Sequence, residues 1–289
     1  MNYSPHSDPD NQLQLESPAK LNLMLHITGR REDGFHLLQT VFQFIDLSDQ
    51  LLFQMLSTNE IKRISGNEIV DEENDLCVKA ARLLQQKFNV GSGISISIKK
   101  NIPIGGGLGG GSSNAATTLM ALNKLWKLRL NQQELMKIGL QLGADVPIFI
   151  YGQSAWASGV GEQLESIELP ECWYLVIYPN IFASTGEIFN ADELTRDCLP
   201  ITIRAFLQGA GSNVCQAIAC KLYPEIGLAM KWLDEYAQAR MTGTGACVFA
   251  AFQNQRQAEV VKTKLPQKWA GFVVQAMNIN PVTQQLLNS

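Results

Sequence analysis

Six glycines stand in the seven residues from Gly105 to Gly111, interrupted only by Leu108, and no other stretch constrains the chain as much. Glycine gives up more backbone freedom on ordering than any other residue, so such a run is costly unless something requires the backbone to be bare. It is set between an isoleucine-rich segment (Ile94, Ile96, Ile98, then Ile102-Pro103-Ile104) and an alanine-rich one with Ala115, Ala116, Leu119, Leu122 and Trp126 at helical spacing. The periodicities predict a half-exposed strand before the loop and a helix after it. A flexible linker is the other use of such a run, but linkers are not sandwiched tightly between strand and helix. A bare loop feeding a helix N-terminus brings several N–H groups and the positive end of the helix dipole to one point, which suits a polyphosphate. Ser112 and Ser113 follow at once and add hydroxyls for phosphate oxygens or a magnesium ion.

The kind of phosphate site is narrowed by what the loop lacks. A Walker loop ends in Gly-Lys-Ser/Thr, and no lysine occurs between Gly105 and Ser113. The spacing Gly105-x-Gly107-x-x-Gly110 matches a dinucleotide fingerprint, as any glycine run would, but Leu122 to Leu130 lacks the acid expected about 20 residues on. A nicotinamide enzyme is therefore the poorer reading. With 289 residues, 46% hydrophobic and 17% charged, the chain can bury a substantial core and is not disordered. A formal charge of -4, without a Lys/Arg block or basic amphipathic helix, argues against nucleic acid and membrane surfaces as partners. No run of 18 apolar residues occurs. The six cysteines (Cys77, Cys172, Cys198, Cys215, Cys220, Cys247) form no CxxC pair, so reduced thiols in a cytoplasmic protein are expected rather than zinc or disulfides. Met1 to Asn11 is polar, with Ser4-Pro5 and Asp8-Pro9, and reads as a frayed tail rather than a signal peptide.

Along the chain, Gln12 to Ile27 reads as two short strands broken at Ser17-Pro18, and Gln39 to Phe53 continues as strand. A helix is expected from Asn74 through Lys87, and another from Asn131, with Glu134 completing a capping box, to Gly143. Ile148 to Tyr151 is expected as a strand. Beyond residue 158 come a strand at Trp173 to Tyr178, helices around Gly186 to Leu194, Ser212 to Leu222 and Pro224 to Ala237, a glycine turn at Thr242 to Gly245, a helix near Gln255 to Leu265 and a strand near Gly271 to Ala276. Strands and helices mix without a regular βαβ beat, which predicts an α+β fold rather than a doubly wound sheet. At about 150 residues per domain the length predicts two domains or one large one, and the change in the order of elements near residue 158 places a boundary there, giving 12–157 and 158–289.

Asp145 lies in an apolar stretch between Gly143 and Pro147, where a carboxylate serves either as a turn or capping group or as a base. Lys20, between Ala19 and Leu21, reads equally as a solvated edge-strand lysine or as a functional cation. Asn22, two residues on, shares its strand face. Phe35 and His36 follow the Asp33-Gly34 turn signal and could be ordinary packing.

Three segments together resemble the motifs of the GHMP kinases, named for galactose, homoserine, mevalonate and phosphomevalonate kinases. They are Pro18-Ala19-Lys20-Leu21-Asn22, Pro103-Ile104-Gly105 through Ser113, and Thr242-Gly243-Thr244-Gly245-Ala246. Their order and spacing agree, and the likeness runs from about Ser17 to the C-terminus. Gly34-Phe35-His36, Leu142-Gly143-Ala144-Asp145-Val146-Pro147 and Gly159-Val160-Gly161-Glu162 are most similar to the branch acting on a cytidine diphosphate-linked methylerythritol.

The resemblance implies a two-domain α+β kinase with its site in the interdomain cleft, using ATP and Mg²⁺ to phosphorylate the 2-hydroxyl of that small molecule. Asp145 would be the catalytic base and Lys20 its partner. ATP would lie over Pro103, Gly105, Gly106, Gly107, Leu108, Gly109, Gly110, Gly111, Ser112 and Ser113, with Lys100 and Asn74 beside the adenosine. Asn22 would orient the substrate, Phe35 and Phe189 sandwich the cytosine, His36 hydrogen-bond its polar edge with Thr185 nearby, and Gly243 and Thr244 approach the substrate phosphates. The branch commonly has tyrosine where Phe35 stands and Asn-Asp where Asn213-Val214 stands. The resemblance also implies a monomer or weak homodimer. The other readings are a homoserine- or mevalonate-type kinase and a non-catalytic ligand sensor on a kinase fold; Gly34-Phe35-His36 disfavours the first, and Lys20, Asp145 and a complete glycine loop disfavour the second.

Overall fold

The computed structural model describes residues 11–32, 34, 36–66 and 70–289. The expected tail lies outside them but for Asn11, and so does Phe35. Ten strands make one sheet: β1 (Gln12–Arg30), β2 (His36–Leu56), β3 (Ile61–Ser65), β4 (Gly93–Lys99), β5 (Ala155–Ser158), β6 (Gln163–Ser166), β7 (Trp173–Tyr178), β8 (Arg240–Met241), β9 (Val248–Phe252) and β10 (Ala270–Met277). The helices are α1 (Leu76–Lys87), α2 (Gly110–Leu125), α3 (Gln132–Leu140), α4 (Val146–Tyr151), α5 (Thr185–Asn190), α6 (Ile203–Leu207), α7 (Cys215–Leu222), α8 (Pro224–Asp234), α9 (Gln255–Lys262) and α10 (Pro281–Asn288).

β2 is the spine of the sheet. One edge carries β1 along its length, and the other is shared in turn by β5 at Thr40–Phe42, β10 at Phe44–Ile45 and β4 at Gln50–Leu56. β10 then pairs with β7, β7 with β9, and β9 with β8, all antiparallel. Among the described strands only β3 and β4 pair in parallel. The mostly antiparallel ladder with helices packed on it is the α+β architecture expected. One core gathers β1, β2, β4 and α1 to α4, and takes in Val282 of α10. A second gathers β7, β9, α5 and α7 to α9. Between them a smaller cluster joins Ala19 and Leu21 to Leu108, Val176, Cys247 and Phe249, so the glycine loop is anchored where the two halves meet.

Three local expectations are corrected. The two short strands are one continuous β1, because the Pro18 break is absorbed as an irregularity: between Pro18 and Ala19 the partner on β2 jumps from Ser48 to Ile45. Ile148 to Tyr151 is helix, not strand. All of Val146 to Ile150 is buried, and a short apolar run buried all round carries no periodicity to separate the two; Pro147 in the first turn and Gly152 in the left-handed conformation (φ 75°) bound the helix. α1 begins at Leu76 rather than Asn74. Asp75 caps it by accepting from Cys77 N, and Asn74 ends a separate 3-10 turn, Glu72–Asn74. The capping box of α3, Asn131 with Glu134, is present as read.

Candidate active site

A cleft of about 560 Å³ runs between the halves. Its floor is the glycine loop and the start of α2; Lys20 and Asn22 of β1 and Asp145 stand on one side, Thr185 and Phe189 of α5 with Gly243 and Thr244 on the other, and Asn74, Lys100 and Pro103 at the far end.

Lys20 is the most tightly held of these. Only 3% of its side chain is exposed. An ammonium has three N–H donors, and Lys20 Nζ meets Asn22 Oδ1 at 2.5 Å, Gly107 O at 3.0 Å and Asp145 Oδ2 at 3.2 Å. A buried cation so surrounded is not the solvated lysine of an edge strand. Asn22 is fixed in turn: its Nδ2 donates to Thr40 Oγ1 at 2.8 Å, and Thr40 Oγ1 donates to Met24 O at 2.6 Å. Asp145 stands at the N-cap position of α4, yet its side chain makes no capping bond. The carboxylate turns to Lys20 instead and remains 37% exposed toward the cleft. It is thus free to meet a ligand.

The glycines are bare largely because of the protein itself. Gly105, Gly107 and Gly109 have φ of 70°, 72° and 73°, in the left-handed region that favours glycine. A Cβ on Gly107 would lie 2.8 Å from Gly245 O and closer still to Thr242 O; one on Gly106 would lie 2.7 Å from Cys247 Sγ, and one on Gly109 2.9 Å from Lys20 Cε. The loop is therefore pressed between the lysine and the Thr242 to Gly245 turn. Thr242 Oγ1 ties the turn to both partners, accepting from Asn22 N at 2.9 Å and donating to Gly107 O at 3.2 Å. No side chain caps α2, whose N-cap is Gly109. Its first turn opens on the cleft through Gly110, Gly111 and Ser112.

One expected contact is corrected. Ser113 is fully buried beneath α2; its Oγ lies 2.6 Å from Pro18 O and 2.6 Å from Ser17 Oγ, and its N–H donates to Gly109 O at 2.8 Å. It fastens the helix to β1 and has nothing left to offer phosphate. His36 stacks on Phe189 with ring centroids 5.2 Å apart and planes at 25°, while its Nε2 accepts from Arg196 Nε at 3.2 Å. Burial first, then the charges of Arg196 and Arg30, push the His36 imidazole below its ordinary range. It is thus favoured neutral, with the proton on Nδ1. Thr185 Oγ1 and Thr244 Oγ1 lie 2.9 Å apart across the cleft wall.

The sequence reading missed Asn213 as a site residue. Its Nδ2 donates to Met241 O at 2.8 Å and Gly243 O at 2.7 Å, which holds the Thr242 to Gly245 turn in place. No spacing rule links residues so far apart in the chain.

The family model for the GHMP kinases N terminal domain matches residues 75–153, and that for GHMP kinases C terminal matches residues 202–271. The chain belongs to the GHMP kinase family. Among curated GHMP kinases, it is 52% identical over 262 residues, 91% of this chain and 94% of the relative, to the 4-diphosphocytidyl-2-C-methyl-D-erythritol kinase of Nitrosococcus oceani. It is 50% identical over 275 residues, 95% of this chain and 94% of the relative, to that of Methylococcus capsulatus. A crystal structure of 4-(cytidine 5'-diphospho)-2C-methyl-D-erythritol kinase superposes with a TM-score of 0.79 at 29% identity, covering 91% of this chain and 99% of that one. GHMP kinases use ATP as phosphoryl donor, and no described helix is long and apolar enough to cross a membrane.

Proposed function

We propose that the protein transfers the γ-phosphoryl of ATP to the 2-hydroxyl of 4-diphosphocytidyl-2-C-methyl-D-erythritol, in isoprenoid precursor biosynthesis. The observation that carries the chemistry is the ion pair of buried Lys20 with half-exposed Asp145 beside the glycine loop. The relatives' printed names support the substrate. Asp145 takes the proton of the attacking hydroxyl as its oxygen bonds to the γ-phosphorus and the bond to ADP breaks. Lys20, locked by Asn22 and Gly107, keeps the carboxylate aimed and adds positive charge next to the transferring group. Phosphates rest on the open first turn of α2.

Among the described residues no group of three or more His, Cys, Asp or Glu gathers as a metal site. Mg²⁺ would be carried mainly by the nucleotide phosphates, where the Ser112 hydroxyl at the cleft would meet it and its charge would neutralise them. The reading extends to 12–157 and 158–289 as the two domains and to a cytoplasmic monomer or weak homodimer.

The test is ADP release from ATP and Mg²⁺ against the diphosphocytidyl alcohol, homoserine, mevalonate and galactose. Turnover confined to one of the last three would overturn the substrate. Phe189 carries a second test, because it lines the cleft and stacks on His36. Base–aromatic stacking is worth about 1–3 kcal/mol, so Phe189→Ala is expected to weaken a cytidine diphosphate fragment roughly 5- to 150-fold by calorimetry, with an ATP analogue unaffected. Equal weakening of both ligands would mean damage to the fold, and no weakening would remove the ring from the base site.

A further inference from the structure

Asp49 is fully buried on β2, directly across from Ser17 of β1 and next to the end of β4. A lone carboxylate there would be prohibitive, and this one is surrounded by donors. Oδ1 accepts from Asn101 N at 2.8 Å and Ile102 N at 2.9 Å, and Oδ2 from Asn114 Nδ2 at 2.9 Å and from Lys100 Nζ. The four groups come from the strand end entering the glycine loop and from the helix leaving it. One carboxylate therefore sets both ends of the loop.

Lys100 gives the arrangement its meaning. Its ammonium lines the cleft beside the start of α2, 3.4 Å from where a Cβ on Gly110 would lie. A cation at the positive end of a helix dipole is repelled unless an anion holds it. Asp49 supplies that anion from below while the other side faces the cleft. We infer that Asp49 is a positioning residue for the nucleotide, holding the Lys100 ammonium where an incoming ATP meets it. The inference rests on the cleft being the ATP site, and the unsubstituted protein tests that separately.

The experiment is calorimetric binding of a non-hydrolysable ATP analogue and of a cytidine diphosphate fragment to the parent, Asp49→Asn, Lys100→Met and the double variant, with melting curves and steady-state kinetics alongside. Asp49→Asn keeps an oxygen for the Asn101 and Ile102 amides. Asn114 Oδ1 is buried without a partner among the described residues, so a flipped Asn114 amide can accept from the new side-chain NH₂. What the variant loses is the negative charge that pairs with the Lys100 ammonium. Each single change is expected to weaken the ATP analogue about tenfold, the scale of a lost charge-assisted hydrogen bond, and to raise KM for ATP with kcat and fragment affinity near the parent's. The double variant is expected to be no weaker than either single one, because Asp49 acts through Lys100. Parent-like ATP affinity in either single variant, or losses that multiply to about a hundredfold in the double, would overturn the inference. Should Asp49→Asn not fold, Lys100→Met still decides: an ATP-selective loss supports the inference, and parent-like binding overturns it. No ATP-analogue binding by the parent would overturn this inference together with the functional reading.

Discussion

Asp145→Asn is expected to lower kcat by about 10²- to 10⁴-fold with ATP affinity close to that of the parent. The substitution keeps size and shape but removes both the ability to accept the proton and the negative charge paired with Lys20. Because the Asp145 side chain does not cap α4, the change costs no helix cap, and the half-exposed site can solvate the amide. Lys20→Ala is expected to be as severe but less clean. It removes the donor from Asn22 Oδ1 and Gly107 O as well as from Asp145, so it disturbs β1 and the loop together. Since the pair acts as a unit, the double variant is expected to lose much less than the two single losses multiplied. Steady-state ADP release, with calorimetry of an ATP analogue on each protein, reads both quantities. Near-normal turnover in Asp145→Asn would remove the carboxylate from the mechanism, and multiplicative losses would show that the two groups do not cooperate.

Much of this site is written in short stretches that can be read one at a time. Pro18 to Asn22, Gly105 to Ser112, Asp145 and Thr242 to Gly245 each carry a local signal, and folding brings all of them to one cleft. What joins them is not local. Asp49 sits in an ordinary strand sequence, and nothing around it announces that Lys100, Asn101, Ile102 and Asn114 will converge on its carboxylate. Asn213 pins a turn 30 residues away in the chain for the same reason. Ser113 shows the opposite failure: its neighbour Ser112 reaches the cleft, but a helix turns each successive residue by about 100°, and Ser113 points under α2 to Ser17 and Pro18. Ile148 to Tyr151 forms helix where the sequence predicts strand, because a buried apolar run has the same appearance as either. The fold class needed none of these details, since the mixture of elements already excluded a regular parallel sheet.

The glycine run separates packing from ligand binding when its members are changed one at a time. Gly107→Val asks a β-branched residue to adopt φ near 72°, at a cost of about 1–3 kcal/mol, and drives its Cβ into the carbonyls of Thr242 and Gly245. The two loops must part. Gly107 O then leaves Lys20 Nζ and Thr242 Oγ1, so the damage reaches the catalytic lysine through the backbone. The expected result is a fall in Tm of about 5 °C or more together with loss of measurable ATP-analogue binding. Gly111 is different: its φ is ordinary, and an added Cβ would meet only Leu76 Cδ1 at 3.6 Å. Nothing in the protein requires glycine there, inside the first turn of α2, where alanine is the better helix former by about 0.5–1 kcal/mol. Gly111→Ala is accordingly expected to raise Tm slightly and still weaken the ATP analogue, because phosphates resting on the helix start need the space. A Gly111→Ala protein that binds nucleotide as tightly as the parent would move the phosphates off that turn. A Gly107→Val protein with parental Tm and tight binding would show that the two loops are not held as closely as their geometry requires.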